Sequence, residues 1–165
     1  MIHLRKIEPS DLPLLYRWEN DSAQWADGQT HNPLSQADLR RYIQNSSGDI
    51  YRDGALTLII RRGDAAIGLV ELGELDARNG RAEVGIYIES DERNRGVGAQ
   101  TIKRLTEYAF RFLHLRLLVA KVRADNLAAQ RIFEHNGFRC VATLPNWIRE
   151  GDVKLYFAEP NLNDL

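Results

Sequence analysis

Residues 85 to 99 read GIYIESDERNRGVGA, and the rest of the chain is organised around them. Gly85-Ile86-Tyr87-Ile88 is β-branched and aromatic, so it suits the end of a strand. Ser90-Asp91-Glu92 is a breaker cluster. Arg93-Asn94-Arg95-Gly96-Val97-Gly98-Ala99 then opens a long amphipathic pattern. Two glycines let the backbone turn tightly and approach a ligand without a Cβ in the way. Unpaired N–H groups at a helix start, with the positive end of the helix dipole, attract anions. The two arginines add donors suited to phosphate. The stretch therefore predicts a strand–turn–helix unit built to hold a phosphate or pyrophosphate. The bland alternative is a solvated turn that happens to contain glycine.

Two nucleotide motifs fail on this turn. A Walker loop needs Gly-Lys followed by Ser or Thr, and Gly98 is followed by Ala99-Gln100. A dinucleotide fingerprint needs a third glycine where Thr101 stands.

Arg93-x-x-Gly96-x-Gly98 resembles the Q/R-x-x-G-x-G/A signature of the GNAT N-acetyltransferases. A second stretch downstream, Asn126-x-x-Ala129-x-x-x-Phe133-x-x-x-Gly137-Phe138, resembles the family's N-x-x-A-x-x-x-Y-x-x-x-G-F pattern, with Phe in place of Tyr. The two motifs stand in the family's order, and the resemblance runs over nearly the whole chain. Gly68-Leu69-Val70-Glu71-Leu72 and Arg81-Ala82-Glu83 look like the ribosomal-protein and spermidine acetyltransferase branch. The resemblance implies acetyl-CoA as co-substrate, with its pyrophosphate on Arg93, Asn94, Arg95, Gly96, Val97, Gly98 and Ala99. It implies backbone bonds to the pantetheine from Ile86 and Ile88, and contacts from Asn126 and from the ring at Phe133. The implied reaction is direct acetyl transfer, in a ternary complex, to the primary amine of a small amine, a polyamine or a protein N-terminus. The competing class is a non-catalytic acyl-CoA-binding module, and the missing tyrosine is its support.

At 165 residues the chain fits one domain, spanning 1–165, with a full-size core. A formal net charge of -1 gives no electrostatic case for nucleic-acid or anionic-membrane partners. One cysteine, Cys140, excludes an internal disulfide and a cysteine metal cage. The four histidines show no metal-ligand spacing, so no metal is expected. Neither a signal-length apolar run nor a membrane-spanning one occurs, and a cytoplasmic protein is the expectation. A homo-oligomer is compatible with all of this.

Strands are expected at Ile2 to Ile7, Leu56 to Arg62, Ala65 to Leu75, Arg81 to Glu89, Leu117 to Val122, Phe138 to Leu144 and Gly151 to Ala158. Leu117 to Val122 is nearly all apolar, which predicts a central strand buried on both faces. Helices are expected after Pro9, after Ser35 with Asp38 near the capping-box position, after the glycine turn, and after the cap Asn126. The stretch from Asn20 to Pro33, which holds Asp27, Gly28 and His31, reads as a loop, and Glu159 to Leu165 as a loose tail. The resulting fold class is mixed α/β (α+β): one mostly antiparallel sheet of about seven strands flanked by about four helices.

Acetyl transfer to an amine needs the cofactor held by its phosphates, a base for the amine, and a proton for the departing thiolate. The strand from Arg81 to Glu89 places Ala82, Val84, Ile86 and Ile88 on one face and Glu83, Gly85, Tyr87 and Glu89 on the other. With the turn at Asp76 to Gly80 centred near Arg78, Glu83 falls opposite Gly73 and Glu71 opposite Gly85. Each glutamate then looks across at a glycine, which leaves space for a substrate. Glu83 is the first candidate for a base or substrate-binding residue, supported by the resemblance. Glu71 is the second, because its half-apolar setting raises a carboxyl pKa. The plain alternative pairs both with Arg81 or Arg78. Phe133 has no proton to give, so either another donor serves, such as Tyr87, Tyr156 or a water, or activity is reduced. Cys140 reads as a small core residue, and His135 as a surface one. The loop before the second helix keeps one carboxylate, Asp27, which fits a polycation poorly.

Overall fold

A computed structural model describes residues 1–25, 32–161 and 163. Seven strands form one sheet: β1 (Ile2–Lys6), β2 (Leu56–Arg62), β3 (Ala65–Asp76), β4 (Arg81–Ile88), β5 (Leu117–Arg123), β6 (Arg139–Ile148) and β7 (Gly151–Ala158). Their order is β1-β2-β3-β4-β5-β7-β6. Every neighbouring pair is antiparallel except β4 and β5. A parallel pair needs a crossover, and α5 (Val97–Arg111) supplies it.

Two apolar layers clamp the sheet. On one face α5 and α6 (Leu127–His135) bring Ile102, Leu105, Phe110 and Phe133 against Ile60, Val70, Leu72, Leu118 and Ala120. On the other, α1 (Leu12–Glu19) and α3 (Gln36–Asn45) bring Leu15, Trp18, Leu39 and Ile43 against Ile59 and Leu69. The second layer covers only the N-terminal side of the sheet. That limits β5. Leu118, Ala120 and Val122 are buried under the helices, whereas Val119 is half-buried and Lys121 exposed on the opposite face. The expectation of a strand buried on both faces is corrected to one face, because neither α1 nor α3 reaches it.

Local signals hold where side chains cap the ends. Ser35 Oγ accepts from the Asp38 N–H at 3.0 Å, and Asp38 Oδ2 accepts from the Ser35 N–H at 3.0 Å, a full capping box. Asn126 Oδ1 accepts from the Ala129 N–H at 3.1 Å, and Gly137 ends α6 with φ 83°. Asp11 precedes α1 but does not cap it. Its carboxylate turns back to Arg5 and the Glu8 N–H. Two short helices, α2 (Ser22–Trp25) and α4 (Ile50–Asp53), were not expected. At four residues each, they are too short to show a period. Within the expected loop, residues 26 to 31, with Asp27, Gly28 and His31, lie outside the described residues.

Candidate active site

The turn after β4 has the geometry of an anion cradle. Gly96 adopts φ 74°, a left-handed conformation that favours glycine, and Asn94 adopts φ 59°. The N–H groups of residues 94 to 99 have no backbone acceptor among the described residues. The first helical bond is from the Gln100 N–H to Gly96 O, at 3.1 Å. Arg95 is exposed, with no hydrogen bond or ion pair among the described residues. These donors fit the pyrophosphate of a coenzyme A molecule. Arg93 lies differently: its Nε donates to Ile88 O at 2.9 Å, with the guanidinium 5.9 Å from the Tyr87 ring centre. Gly98 answers to packing as well. A Cβ there would stand 2.6 Å from Ile132 Cδ1 on α6.

From the turn a gap runs into the sheet. The parallel ladder of β4 and β5 holds only three pairs: Arg81 with Leu117, Ala82 with Leu118 and Glu83 with Val119. Beyond it β5 is paired only with β7, and β4 only with β3. The Glu89 N–H bonds Ile67 O at 2.9 Å, and a Cβ on Gly68 would meet the Tyr87 carbonyl at 2.1 Å, so odd-numbered residues of β4 direct their backbone toward β3. Alternation then turns the N–H and C=O groups of Ile86 and Ile88 toward the gap. Asn126 stands at the start of α6, just beyond the far end of β5.

The face of this gap away from α5 carries the candidate acceptor floor. Glu71 is opposite Gly85 and Gly73 opposite Glu83, as expected, although Asp76 pairs with Arg81 and an irregularity between Gly73 and Asp76 makes up the difference. A Cβ on Gly73 would stand 2.9 Å from Glu71 Oε1, so the carboxylate lies over that glycine. Glu71 has no hydrogen bond or ion pair among the described residues. Burial first, then the charges of Glu19, Glu74 and Glu83, push its pKa up. Burial also pushes up Glu19, at the end of α1. Glu83 is placed differently, with Oε2 3.4 Å from Lys121 Nζ on β5. Its partner is neither Arg81 nor Arg78; Arg81 is taken by Asp76 at 3.0 Å. Sequence reasoning missed Lys121 and Glu19. Lys121 did leave a signal, as the one charge inside the apolar run from Leu117 to Val122.

The candidate acids are all committed. Phe133 is 4% exposed and packs against Phe138 and Tyr156, at ring-centre distances of 5.0 and 6.5 Å. Tyr156 is fully buried and donates to Glu134 Oε1 at 2.8 Å; burial, then Glu134, push its pKa far up. Tyr87 donates to Asp21 Oδ2 at 3.3 Å, and burial, then Asp21, raise its pKa. It lines a cleft of about 440 Å³ with Arg17, Asp21, Glu89, Ser90 and Asp91. Cys140 is exposed on β6, which corrects the expectation of a core residue; β6 is an edge strand, with a neighbouring strand on one side only. His135 is a surface residue, as expected.

Strand order, glycine turn and parted pair together define the acetyltransferase class, and comparison agrees. Residues 2–139 match the model of the acetyltransferase (GNAT) domain, so the chain belongs to the GNAT family, which moves an acetyl group from acetyl-CoA to an amine. It is 24% identical over 144 residues to the uncharacterized N-acetyltransferase p20 of Bacillus licheniformis, covering 82% of this chain and 78% of that one. It is 26% identical over 104 residues to the ribosomal-protein-serine acetyltransferase of Escherichia coli, covering 63% of this chain and 58% of that one. Its fold superimposes with a TM-score of 0.83, at 23% identity, on the spermidine N-acetyltransferase of Vibrio cholerae in complex with CoA and spermine, covering 96% and 95% of the two chains. No helix among the described residues is long and apolar enough to cross a membrane.

Proposed function

We propose that the chain transfers acetyl from acetyl-CoA to a primary amine by direct attack in a ternary complex, with Glu71 as the base. The observation that carries this reading is one continuous path. It runs from the amides of residues 94 to 99, along the gap-facing backbone of Ile86 and Ile88, to a Glu71 carboxylate that lies over Gly73 and has no partner among the described residues. The amides and Arg95 hold the pyrophosphate, and Arg93 leaves Ile88 O to join them. Ile86, Ile88 and Asn126 hold the pantetheine. The amine sits over Gly85, beside Glu71.

Glu71 takes the place that sequence reasoning gave first to Glu83. A base must release the proton it takes, and a raised carboxyl pKa gives it affinity for that proton. Glu83, beside Lys121, orients the amine from the next row. As the N–C bond forms and the C–S bond breaks, Glu71 accepts the proton that the nitrogen loses. The sulfur takes its proton from water, since Phe133 has none and the hydroxyls of Tyr156 and Tyr87 already donate elsewhere.

The test is calorimetric titration with acetyl-CoA, followed by an assay of CoA release across amines. Wild type binds and turns over; Arg95→Glu keeps its fold and loses at least about tenfold in affinity, as expected for reversing one phosphate-pairing charge. Binding without CoA release from any amine would favour the acyl-CoA-binding module, the reading that the buried Phe133 supports.

A further inference from the structure

Glu71 on β3 is opposite Gly85 on β4, and Lys121 on β5 lies on the same face, two residues past Val119, where the parallel ladder between β4 and β5 has ended. The two charged residues thus stand on the strands either side of β4, at least about 10 Å apart at the backbone. Gly85 between them has no side chain. This part of the floor is a trough with a carboxylate on one wall and an ammonium on the other.

Lys121 is oriented. Its Nζ is 3.4 Å from Glu83 and 6.0 Å from the centre of the Trp147 ring, and its side chain is 34% exposed. An ammonium has three N–H donors, so the contact with Glu83 leaves it capacity for a second anion. Arg123, further along the same face, is tied to Asp125 at 2.8 and 3.0 Å. On the Lys121 side of the floor a second ammonium fits poorly, because Glu83 is already paired there and Lys121 would repel it; the other carboxylates, Glu19 and Glu74, act on Glu71 itself.

Resting on the acetyl-transfer reading above, we propose that Lys121 determines acceptor specificity, selecting a small amine that also carries an anionic group, a carboxylate or a phosphonate, at its far end. The amine lies at Glu71 and the anion at Lys121, whose ammonium stands over the Trp147 ring.

The test uses four acceptors of similar length: γ-aminobutyrate, aminopropylphosphonate, butylamine and putrescine, with anionic, anionic, neutral and cationic ends. In wild type kcat/KM falls from the anionic acceptors through butylamine to putrescine. The ratio of γ-aminobutyrate to aminopropylphosphonate tells carboxylate from phosphonate preference. Lys121→Glu raises KM for the anionic acceptors by about tenfold, between the few-fold worth of an exposed charge pair and the larger worth of a buried one. Because Lys121 also pairs with Glu83, the variant is read by ratio: kcat/KM for γ-aminobutyrate relative to that for butylamine falls by about tenfold, whatever happens to the rate with butylamine itself. Lys121→Arg keeps the wild-type order. Calorimetry with each acceptor in the presence of CoA reads the same order without turnover. If the anionic acceptors bind best but nothing is acetylated, the acetyl-transfer reading fails and this inference stands. If putrescine binds or reacts best in wild type, or Lys121→Glu leaves the order unchanged, the inference is overturned.

Discussion

Two carboxylates on the α1 side of the sheet have opposite surroundings. Asp11 is 3% exposed and meets Arg5 in a two-pronged pair, 2.7 Å at each contact, with the Glu8 N–H at 2.8 Å. Burial pushes its pKa up, but Arg5 bonding, the Glu8 amide and the charges of Arg5 and Arg61 together pull it below the usual range. Glu71 is less buried and has none of this; burial and three neighbouring carboxylates all push the same way. The difference separates two uses of a buried charge. Where cation and amide donors surround it, a carboxylate fastens the chain. Where they are missing, it is left with an appetite for a proton or a cation, as a site needs.

The largest effect that tests this contrast is on turnover. Glu71→Gln is expected to lower kcat by roughly 10²–10⁴-fold, the worth of a general base. Affinity for acetyl-CoA, measured by calorimetry, stays unchanged. Glu83→Gln should cost less than tenfold in the same assay. A reversed order returns Glu83 to the role of base.

Asp11→Ala is the complementary break. It should leave turnover per folded molecule unchanged and lose about 3 kcal/mol of stability in urea titration, the lower end for removing one partner of a buried pair. In wild type, Asp11's contribution is present above its unfolded pKa and lost as pH falls through the lower folded one. Asp11→Ala should therefore show a smaller loss of stability than wild type between neutral and strongly acid pH.

Gly98→Ala should cost about 1–3 kcal/mol through overpacking against Ile132. The double variant with Ile132→Val recovers part of that if the contact is the cause. Because of this contact, Arg95 is a cleaner probe of anion binding than Gly98.

The smallest effect has the opposite sign. A carboxyl with a raised folded pKa binds more protons folded than unfolded, so its contribution declines as pH rises from the unfolded to the folded value. Each pKa unit is worth about 1.4 kcal/mol. Glu71→Gln should melt higher than wild type at pH 8, with the gap closing near pH 4. A variant that loses activity while gaining stability marks the carboxylate as a site group.

The legibility of these regions followed the length scale of their causes. The glycine turn was readable because backbone makes it: a residue with φ 74° and a run of open amides follow from neighbours in sequence. The register of Glu71 and Glu83 came out as expected because two departures cancel: Asp76 pairs with Arg81, one position off a turn centred at Arg78, and the irregularity between Gly73 and Asp76, where Glu74 has φ 48°, restores it. The partner of Glu83 was not readable. Lys121 arrives by a parallel crossover thirty-eight positions later, and no hairpin rule reaches that far. The same distance hid the bare face of β5, since an apolar run does not say which helices cover it. Glu19 was hidden among the turns of α1, where only the packing of that helix onto β3 gives its carboxylate neighbours. The substitution at Phe133 was visible at once, but the commitment of Tyr156 to Glu134 needed β7 and α6 side by side.

The short ladder between β4 and β5 has one more consequence. A sheet of seven strands ordinarily has two edges, β1 and β6 here. This one also has an inner seam, opened where three pairs end and lined by the backbone of Ile86 and Ile88. Exposed edges invite pairing with foreign strands, and proteins usually guard them with charge, proline or a covering helix. This seam lies inside the sheet, with β4 on one side and β5 on the other, so its open groups face a neighbouring strand of the same chain and not the outside. On the acetyl-transfer reading proposed above, the occupant is a thin, flexible molecule with amides spaced along its length, and on entering it becomes the missing rung. The discontinuity would then serve as a β edge whose partner is not a protein at all.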